Sequence, residues 1–511
     1  PTLHSGLAMI VLVLAVLLRW MLLPLGLYKS TDFEVHRNWL AITHQLPISE
    51  WYFEDTSPWT LDYPPAFAYF EWLLSQAAQW VDPQMLDVKN LDYASEATVL
   101  FQRITVILGD ALLALGAFSV GGMTSVVLVL WNSTLLMVDH VHFQYNGMLL
   151  GLLLLSIAAI ERQRTYLGAV LFCLLLCMKH IFLYVSPVFF VYLLRFHCDM
   201  SFWPFRLRFG RLLRLGLVVL GSFLVLLAPF LSPVQMPQLL KRLFPFGRGL
   251  THAYWAPNCW ALYNTVDRVL AKALRRSGAS GSTAGFAEVY ESAVLWSVPP
   301  KATFALTLLA YLPLLRAIWQ APERGSLSLY VALGSAVAFS FGWHVHEKAI
   351  LMVTIPLLAF APSGADRANP RRRRMRRLAV ALSTAGSFSV MPLLPLESKE
   401  TIVKWILFLA GLLVENWLLL GHPPTEVPLG LTTVAGGILR SLWPFSASLW
   451  PLVALAYGVL GIFRDAGGHA WLFRGRMEFL PLMLTSDFTA LLILGSFWSL
   501  FSLLPSEKLK Q

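Results

Sequence analysis

Residues 7–39 read LAMIVLVLAVLLRWMLLPLGLYKSTDFEVHRNW. The apolar run passes Arg19 and Trp20 and reaches Leu27 without a small-residue cleavage site, so it reads as a retained anchor span, not a cleaved signal peptide. Directly after it the chain turns polar, with Asp32, Glu34, His36 and Arg37 in quick succession. A membrane span that ends on such a cluster sets the question for the rest of the chain. Do the other apolar stretches end in the same way, and on the same side of the bilayer?

Composition supports repeated crossing. Apolar residues make up 57% of the 511 and charged ones only 13%, with a mean hydropathy of +0.62, beyond what a soluble fold of this length carries. A span needs about 20 mainly apolar residues. Candidates fall at roughly 7–27, 101–119, 123–138, 147–160, 165–178, 181–195, 212–231, 303–319, 327–342, 349–361, 378–394, 401–420, 447–463 and 480–504, which predicts an all-α polytopic protein of about 12–14 spans. The chain opens at Pro1, so a few translated residues are expected to precede it; the tail EKLKQ loosely resembles a dilysine retrieval signal.

The net charge of +10 raises nucleic acid as a partner, but the arginines cluster between apolar stretches, where the positive-inside rule explains them more simply. No nucleic-acid partner is expected. Four cysteines offer neither a disulfide framework nor zinc spacing; Cys173 and Cys177, one helical turn apart in an apolar segment, read as small hydrophobes.

Two basic runs fix the orientation. Residues 195–214 hold Arg195, Arg206, Arg208, Arg211 and Arg214 against Asp199, and 371–377 read RRRRMRR. Both belong on the cytosolic side, and the number of expected spans between them is even, as that requires. Counting outward places a long first loop (28–98), 139–146, a large loop (232–302) and 344–348 on the lumenal side, with 362–377 a basic cytosolic loop. Those lumenal loops carry STDFEVHRNW (30–39), WTLDYPP (59–65), DHVHFQYNG (139–147), KRLFPFGRGL (241–250) and WHVHEKA (343–349).

Each loop has a plain alternative. Trp and Tyr form the ordinary interfacial belt, Pro64 and Pro65 stop a helix, and His344 or His346 can cap one. The convergence of four loops on one side favours chemistry there. Asp32, at the water–membrane boundary, suits a general base on a hydroxyl; if the turn is helical, it shares a face with His36 while Glu34 points elsewhere. The competing readings are a helix N-cap at Thr31 or Asp32 and a metal site of Asp32, Glu34 and His36, which helical spacing disfavours. Lys241, Arg242, Arg248, His344, His346 and Lys348 invite a phosphate, against the alternative of snorkelling to head groups.

A sugar on a polyprenyl phosphate would suit these parts. Its leaving group needs no protonation at neutral pH, so one carboxylate base suffices where a glycosidase needs two. Transfer therefore fits better than hydrolysis.

At these residues the sequence also resembles a family. STDFEVHRNW, LDYPP, HFQYNG, RLFPFGRGL and HVHEK, in that order from residue 30 to about 350, are similar to the motif set of the eukaryotic dolichyl-phosphate-glucose-dependent glucosyltransferases of the membrane-embedded GT-C superfamily. The resemblance implies an endoplasmic-reticulum enzyme with a lumenal site, using dolichyl phosphate glucose and a dolichyl-diphosphate-linked oligosaccharide; no cofactor beyond that lipid donor is expected, and no residue is assigned to a metal. Sister branches add the first and second α-1,3-linked glucose for protein N-glycosylation. STDFEVHRNWLAIT with WTLDYPPAF most resembles the second.

The resemblance further implies inversion, from a β-linked donor to an α-linked product, within a single membrane-embedded domain over 1–511. Asp32 would be the base on the acceptor 3-hydroxyl. Glu34, His36, Arg37, Asp62 and Tyr63 would shape the substrate pocket, while Arg248, His344, His346 and Lys348 would face the donor. Two features of the residues agree with that fold. Phe67, Phe70 and Leu74 recur at helical spacing beside polar Glu71 and Gln76, predicting an interfacial helix over 66–80, and SGASGSTAG (277–285) reads as a flexible stretch. A flippase or transporter remains the rival class, though it should place its polar site nearer the bilayer midplane. A non-catalytic scaffold subunit is another.

Overall fold

The computed structural model describes residues 2–202, 205–244, 249–275, 290–321, 324–362, 369–420 and 450–504. SGASGSTAG (277–285) lies outside them. Regular structure among the described residues is helical apart from a two-residue strand pair, Ser201–Phe202 with Phe205–Arg206, and an isolated bridge between Trp255 and His346. Among the described residues, six helices are long and apolar enough to cross a membrane: Gly6–Leu25, Glu96–Leu130, Phe209–Phe230, Pro300–Gln320, Ser398–Leu420 and Leu480–Phe501. Shorter apolar helices cover Asn146–Glu161, Thr165–Met178, His180–Phe196 and Leu327–Phe341. The fold is all-α and polytopic, as the apolar pattern predicts.

Two boundaries differ from the sequence reading, each for a local reason. The stretches expected at 101–119 and 123–138 share one helical run, Glu96–Leu130, broken at Gly121 and at Gly122, whose φ of +73° favours a residue without a Cβ. The arginines of 371–377, expected in a loop, instead form the opening turns of helix Pro370–Val390. There Asn369 accepts from the N–H groups of Arg371 and Arg372, and Pro370 takes the first helical position.

The chain forms two compact units. The first comprises Pro1–Val126, Val138–Phe246 and Arg324–Leu327. In it, Asn146–Glu161 packs on Thr165–Met178, which packs on Phe209–Leu227. The Asn146–Glu161 helix also crosses Glu96–Leu130 at backbone contact. A Cβ on Gly151 would meet Leu112 and Leu113 backbone atoms at 2.4–2.6 Å, and one on Gly116 would meet the Gly151 carbonyl at 2.6 Å. Small residues at such a crossing replace the hydrophobic drive that lipid cannot supply. A buried ion pair lies inside this bundle: Arg19 donates to Asp110, which is also 2.8 Å from His140 Nε2.

The amphipathic helix forms over Pro65–Val81. Phe67, Ala68, Ser75 and Ala78 are buried, while Trp72, Leu73, Val81 and above all Trp80, 85% exposed, face outward. Glu71, read from sequence as part of the polar face, is buried instead, because its Oε1 lies 2.7 Å from His36 Nδ1 on helix Thr31–Gln45.

The second unit comprises Val127–Met137, Gly247–Glu323 and Ser328–Gln511. Helix Pro370–Val390 packs on Leu480–Phe501 and on Ser398–Leu420, and Cys259–Ala273 packs on Leu480–Phe501. Buried polar contacts tie these helices together. Glu415 accepts from Ser383 at 2.6 Å, and Lys404 donates to Asp465 at 2.9 Å beside Arg464.

Candidate active site

Helix Thr31–Gln45 begins just past the first span, with Ser30 extended at the N-cap position and Asp32 and Glu34 in the first turn. There the helix dipole favours carboxylates. The Ser30 hydroxyl donates to the His142 carbonyl, which ties the helix start to the segment Leu136–Phe143. That segment is wound as a rare π-helical turn. It ends at Phe143, whose φ of +89° is unusual for a residue with a Cβ.

The reversal at Phe143 lets both its neighbours reach one carboxylate. His142 Nε2 lies 2.9 Å from Asp32 Oδ2, and Gln144 Nε2 donates to the same oxygen at 2.6 Å. An ionised carboxylate can only accept, so His142 carries a proton on Nε2, and its Nδ1 accepts from the Tyr28 hydroxyl. A second tier holds Gln144. Its Oε1 accepts from Asn146 Nδ2 at 2.7 Å, which also donates to Asp139 Oδ1 at 2.9 Å, while Asp139 Oδ2 accepts the Gly147 N–H at 2.6 Å. Burial pushes the Asp139 carboxyl up to about 7, against the pull of those donors. Lys179 Nζ donates to Asn146 Oδ1 at 3.2 Å and stands 4.9 Å above the Tyr63 ring.

Asp32 keeps 26% of its side-chain exposure, so a hydroxyl can reach it. Its neighbours on the helix are turned inward. Arg37, fully buried, donates to Glu34 through Nε and Nη2 at 2.9 and 2.6 Å, and through Nη1 to the carbonyls of Met85 and Asp87, both at 3.1 Å. His36 sits against Glu71 within a box of rings, Trp39, Tyr63, Phe67, Phe143 and Tyr145. Glu34, His36 and Arg37 therefore have internal partners, and Asp32 and His36, expected on one helical face, serve different ones. Asp62 and Tyr63 are half-buried, with the Tyr63 ring 4.9 Å from that of Trp39. Arg242 spends its guanidinium on the Tyr52 and Glu54 carbonyls.

In the second unit, the segment before helix Cys259–Ala273 is pinned to the end of helix Leu327–Phe341: Asn258 donates to the Phe339 carbonyl and Trp260 Nε1 to that of Gly342, each at 2.9 Å. This brings the Gly249–Tyr254 stretch onto the HVHEK turn. His344, at φ +50°, bonds the carbonyls of Gly249 and Leu250 at 2.8 and 2.9 Å. The ring of His346 stacks on that of His252 at 3.8 Å, and Glu347 is buried beneath them. Lys348 is half-buried in the turn Glu347–Ile350. Arg248 lies outside the described residues.

Donor atoms of His252, His346 and Glu347 fall within 4.8 Å of one another. Face-to-face imidazoles direct their in-plane lone pairs side by side and not at a common point, a poor fit to the tetrahedral arrangement of an N/O metal site.

Sequence reading picked out DHVHFQYNG as a block without separating His142 and Gln144, and it missed Lys179, His252 and Glu347. The signal for the first two was present: two side chains able to donate hydrogen bonds, flanking an aromatic in a boundary loop. Lys179 and His252 come to their neighbours through tertiary packing alone.

An all-α, membrane-crossing chain that presents a braced carboxylate at the end of its first span has the layout of a membrane-embedded glycosyltransferase. The family model described as "ALG6, ALG8 glycosyltransferase family" matches residues 15–500, and the chain belongs to that family. It is 43% identical over 489 residues to a protein of Drosophila melanogaster named probable dolichyl pyrophosphate Glc1Man9GlcNAc2 alpha-1,3-glucosyltransferase, covering 92% of this chain and 89% of that one. The Mus musculus protein of the same name, without the qualifier, is 46% identical over 425 residues (77% and 78% covered), and that of Arabidopsis thaliana 44% over 397 residues (75% and 76%).

Proposed function

We propose that this protein transfers glucose from dolichyl phosphate glucose, with inversion, to the 3-hydroxyl of the monoglucosylated nine-mannose oligosaccharide on dolichyl diphosphate. The observation that carries the reading is Asp32, a solvent-reachable carboxylate fixed by His142 and Gln144 in a family of glycosyltransferases. Its donors fix the direction of the carboxylate, and its exposed part can be reached by a hydroxyl. Asp32 takes the acceptor proton as that oxygen bonds to the anomeric carbon, and the phosphate departs with the electron pair of the anomeric C–O bond. Phosphate is a good enough leaving group that no second carboxylate is needed. Residues of the HVHEK turn, His346 foremost, serve the donor phosphate. The reaction uses no further cofactor, and the enzyme works in the endoplasmic reticulum membrane with its site facing the lumen.

The relatives' names favour the second glucose over the first. The test is to incubate purified protein with dolichyl phosphate glucose and either the unglucosylated or the monoglucosylated lipid-linked acceptor, and to follow product mass. One hexose added only to the monoglucosylated acceptor is expected, with turnover about a hundredfold lower in Asp32→Asn. Addition to the unglucosylated acceptor would point to the sister activity, and near-normal turnover in the variant would remove Asp32 from the role of base.

A further inference from the structure

The second unit buries a carboxylate under two stacked imidazoles. Glu347 is 2% exposed, and neither of its oxygens has a hydrogen bond within the described structure. His252 Nδ1 lies 3.6 Å from Glu347 Oε2. The same Nδ1 accepts the Tyr254 N–H at 3.3 Å. These two contacts exclude each other chemically. A neutral His252 with a lone pair on Nδ1 takes the amide, whereas a protonated one turns that nitrogen into a donor for Glu347.

The remaining groups around the ring set how many charges the cluster holds. His346 stacks on His252 at 3.8 Å and 30°, and His344 meets both rings edge-on at 5.6 Å. Lys348 follows Glu347 in the turn, and Tyr254 lies nearly parallel to His252 at 6.0 Å. Burial pushes the Glu347 carboxyl up, but His252 and Lys348 more than reverse this and hold it below its usual range. One buried carboxylate offsets one imidazolium; a second positive charge on a ring 3.8 Å away calls for another anion. The His252 side chain keeps 24% of its exposure, so an anion can reach the stack from outside while Glu347 stays covered.

We propose that His252 belongs to the donor-phosphate site, its stack on His346 over Glu347 taking up a proton as the phosphate passes from one negative charge to two. The inference rests on the functional reading given above and adds a residue and a charge step to it. In the transfer, the acceptor oxygen bonds to the anomeric carbon, its proton goes to Asp32, and the C–O bond to phosphate breaks with its electron pair on the phosphate. The donor is a phosphodiester with one negative charge, and the product is a monoester that carries a second. His252 takes its proton from solvent and returns it when dolichyl phosphate leaves. An interaction that strengthens as charge develops lowers the barrier, where one of equal strength throughout would only tighten binding.

The experiment uses the full chain in lipid nanodiscs, with dolichyl phosphate as product inhibitor and dolichyl phosphate glucose as donor, across about pH 5.5 to 8.5 to bracket imidazole titration. For the wild type, inhibition by dolichyl phosphate should be strongest at intermediate pH and fade on the alkaline side. In His252→Gln, the inhibition constant should rise about tenfold and kcat fall by a similar factor, with little change in donor KM and no alkaline limb. Glu347→Gln should move that limb to lower pH, a shift that a role in packing alone would not produce. Inhibition and pH profile unchanged in His252→Gln would overturn the proposal. So would activity that a chelator abolishes and added zinc or manganese restores in the wild type but not in His252→Gln, which would make the cluster a cation site. Absence of any glucose transfer by the wild type would instead defeat the functional reading, and the proposal with it.

Discussion

At Asp32 the two hydrogen-bond donors differ in what they can be replaced by. Gln144 can only be neutral, so Gln144→Glu would set a second carboxyl within reach of Asp32 Oδ2. Two carboxyls at that distance share a proton, and the pH at which the base ionises moves up. The acidic limb of the kcat profile should therefore shift to higher pH in Gln144→Glu, with activity recovering under alkaline conditions; an unshifted limb would mean that Gln144 does not hold the base. Arg37 gives the opposite kind of prediction. Because it is fully buried on Glu34 and two carbonyls, Arg37→Ala leaves an uncompensated charge that costs about 3–5 kcal/mol. A large drop in thermal midpoint with nearly constant donor and acceptor KM is expected, whereas a selective KM effect would restore it to the substrate pocket. The sequence brought Asp32, Glu34, His36 and Arg37 forward together because all four are polar beside a span. Only packing separates the one that faces solvent from the three that do not.

Among the elements, the π-helical segment Leu136–Phe143 and the helix that follows it carry the bracing of the site. Asp139 couples that bracing to pH. Its folded-state pKa, about 7, lies above the ordinary 3.8, so the native state holds this proton more tightly than the unfolded chain does. Stability should then fall as pH rises from 3.8 to about 7 and level off beyond, and Asp139→Asn should flatten that slope in thermal unfolding curves taken across the range. The crossing of Asn146–Glu161 on Glu96–Leu130 makes a second demand. Gly151→Leu must push backbone from backbone, at a cost of about 1–3 kcal/mol by the measure of overpacked cores, readable as a lower unfolding temperature. Helix existence was legible from apolar runs, and the interfacial helix from its spacing. The glycine crossing and the reversal at Phe143 were not, since a close approach or a left-handed residue has no periodic signature.

At the scale of the whole molecule, the apolar pattern and the arginine count together predict which loops share a side. Six helices long and apolar enough to span, and four shorter apolar ones, fall on expected stretches among the described residues, while 101–119 and the start of 123–138 share one run. Function was legible through motif wording more than through physics: nothing in the charge or shape of these side chains names the sugar at the acceptor's end. A single cysteine placed in 344–348 should label only with reagents admitted to the lumen, and cytosolic labelling would invert the topology. The helix Pro65–Val81 bears on the whole in another way. Its outward Trp72, Leu73 and Trp80 seek the head-group boundary, and its inward Glu71 grips His36, one turn beyond Asp32 on the helix that carries both. With Asp32 in its proposed role, this arrangement would reference the height of the base to the lipid itself. Bilayer thickness becomes a variable of the chemistry, and acyl chains a few carbons too long or too short should depress turnover without unfolding the protein.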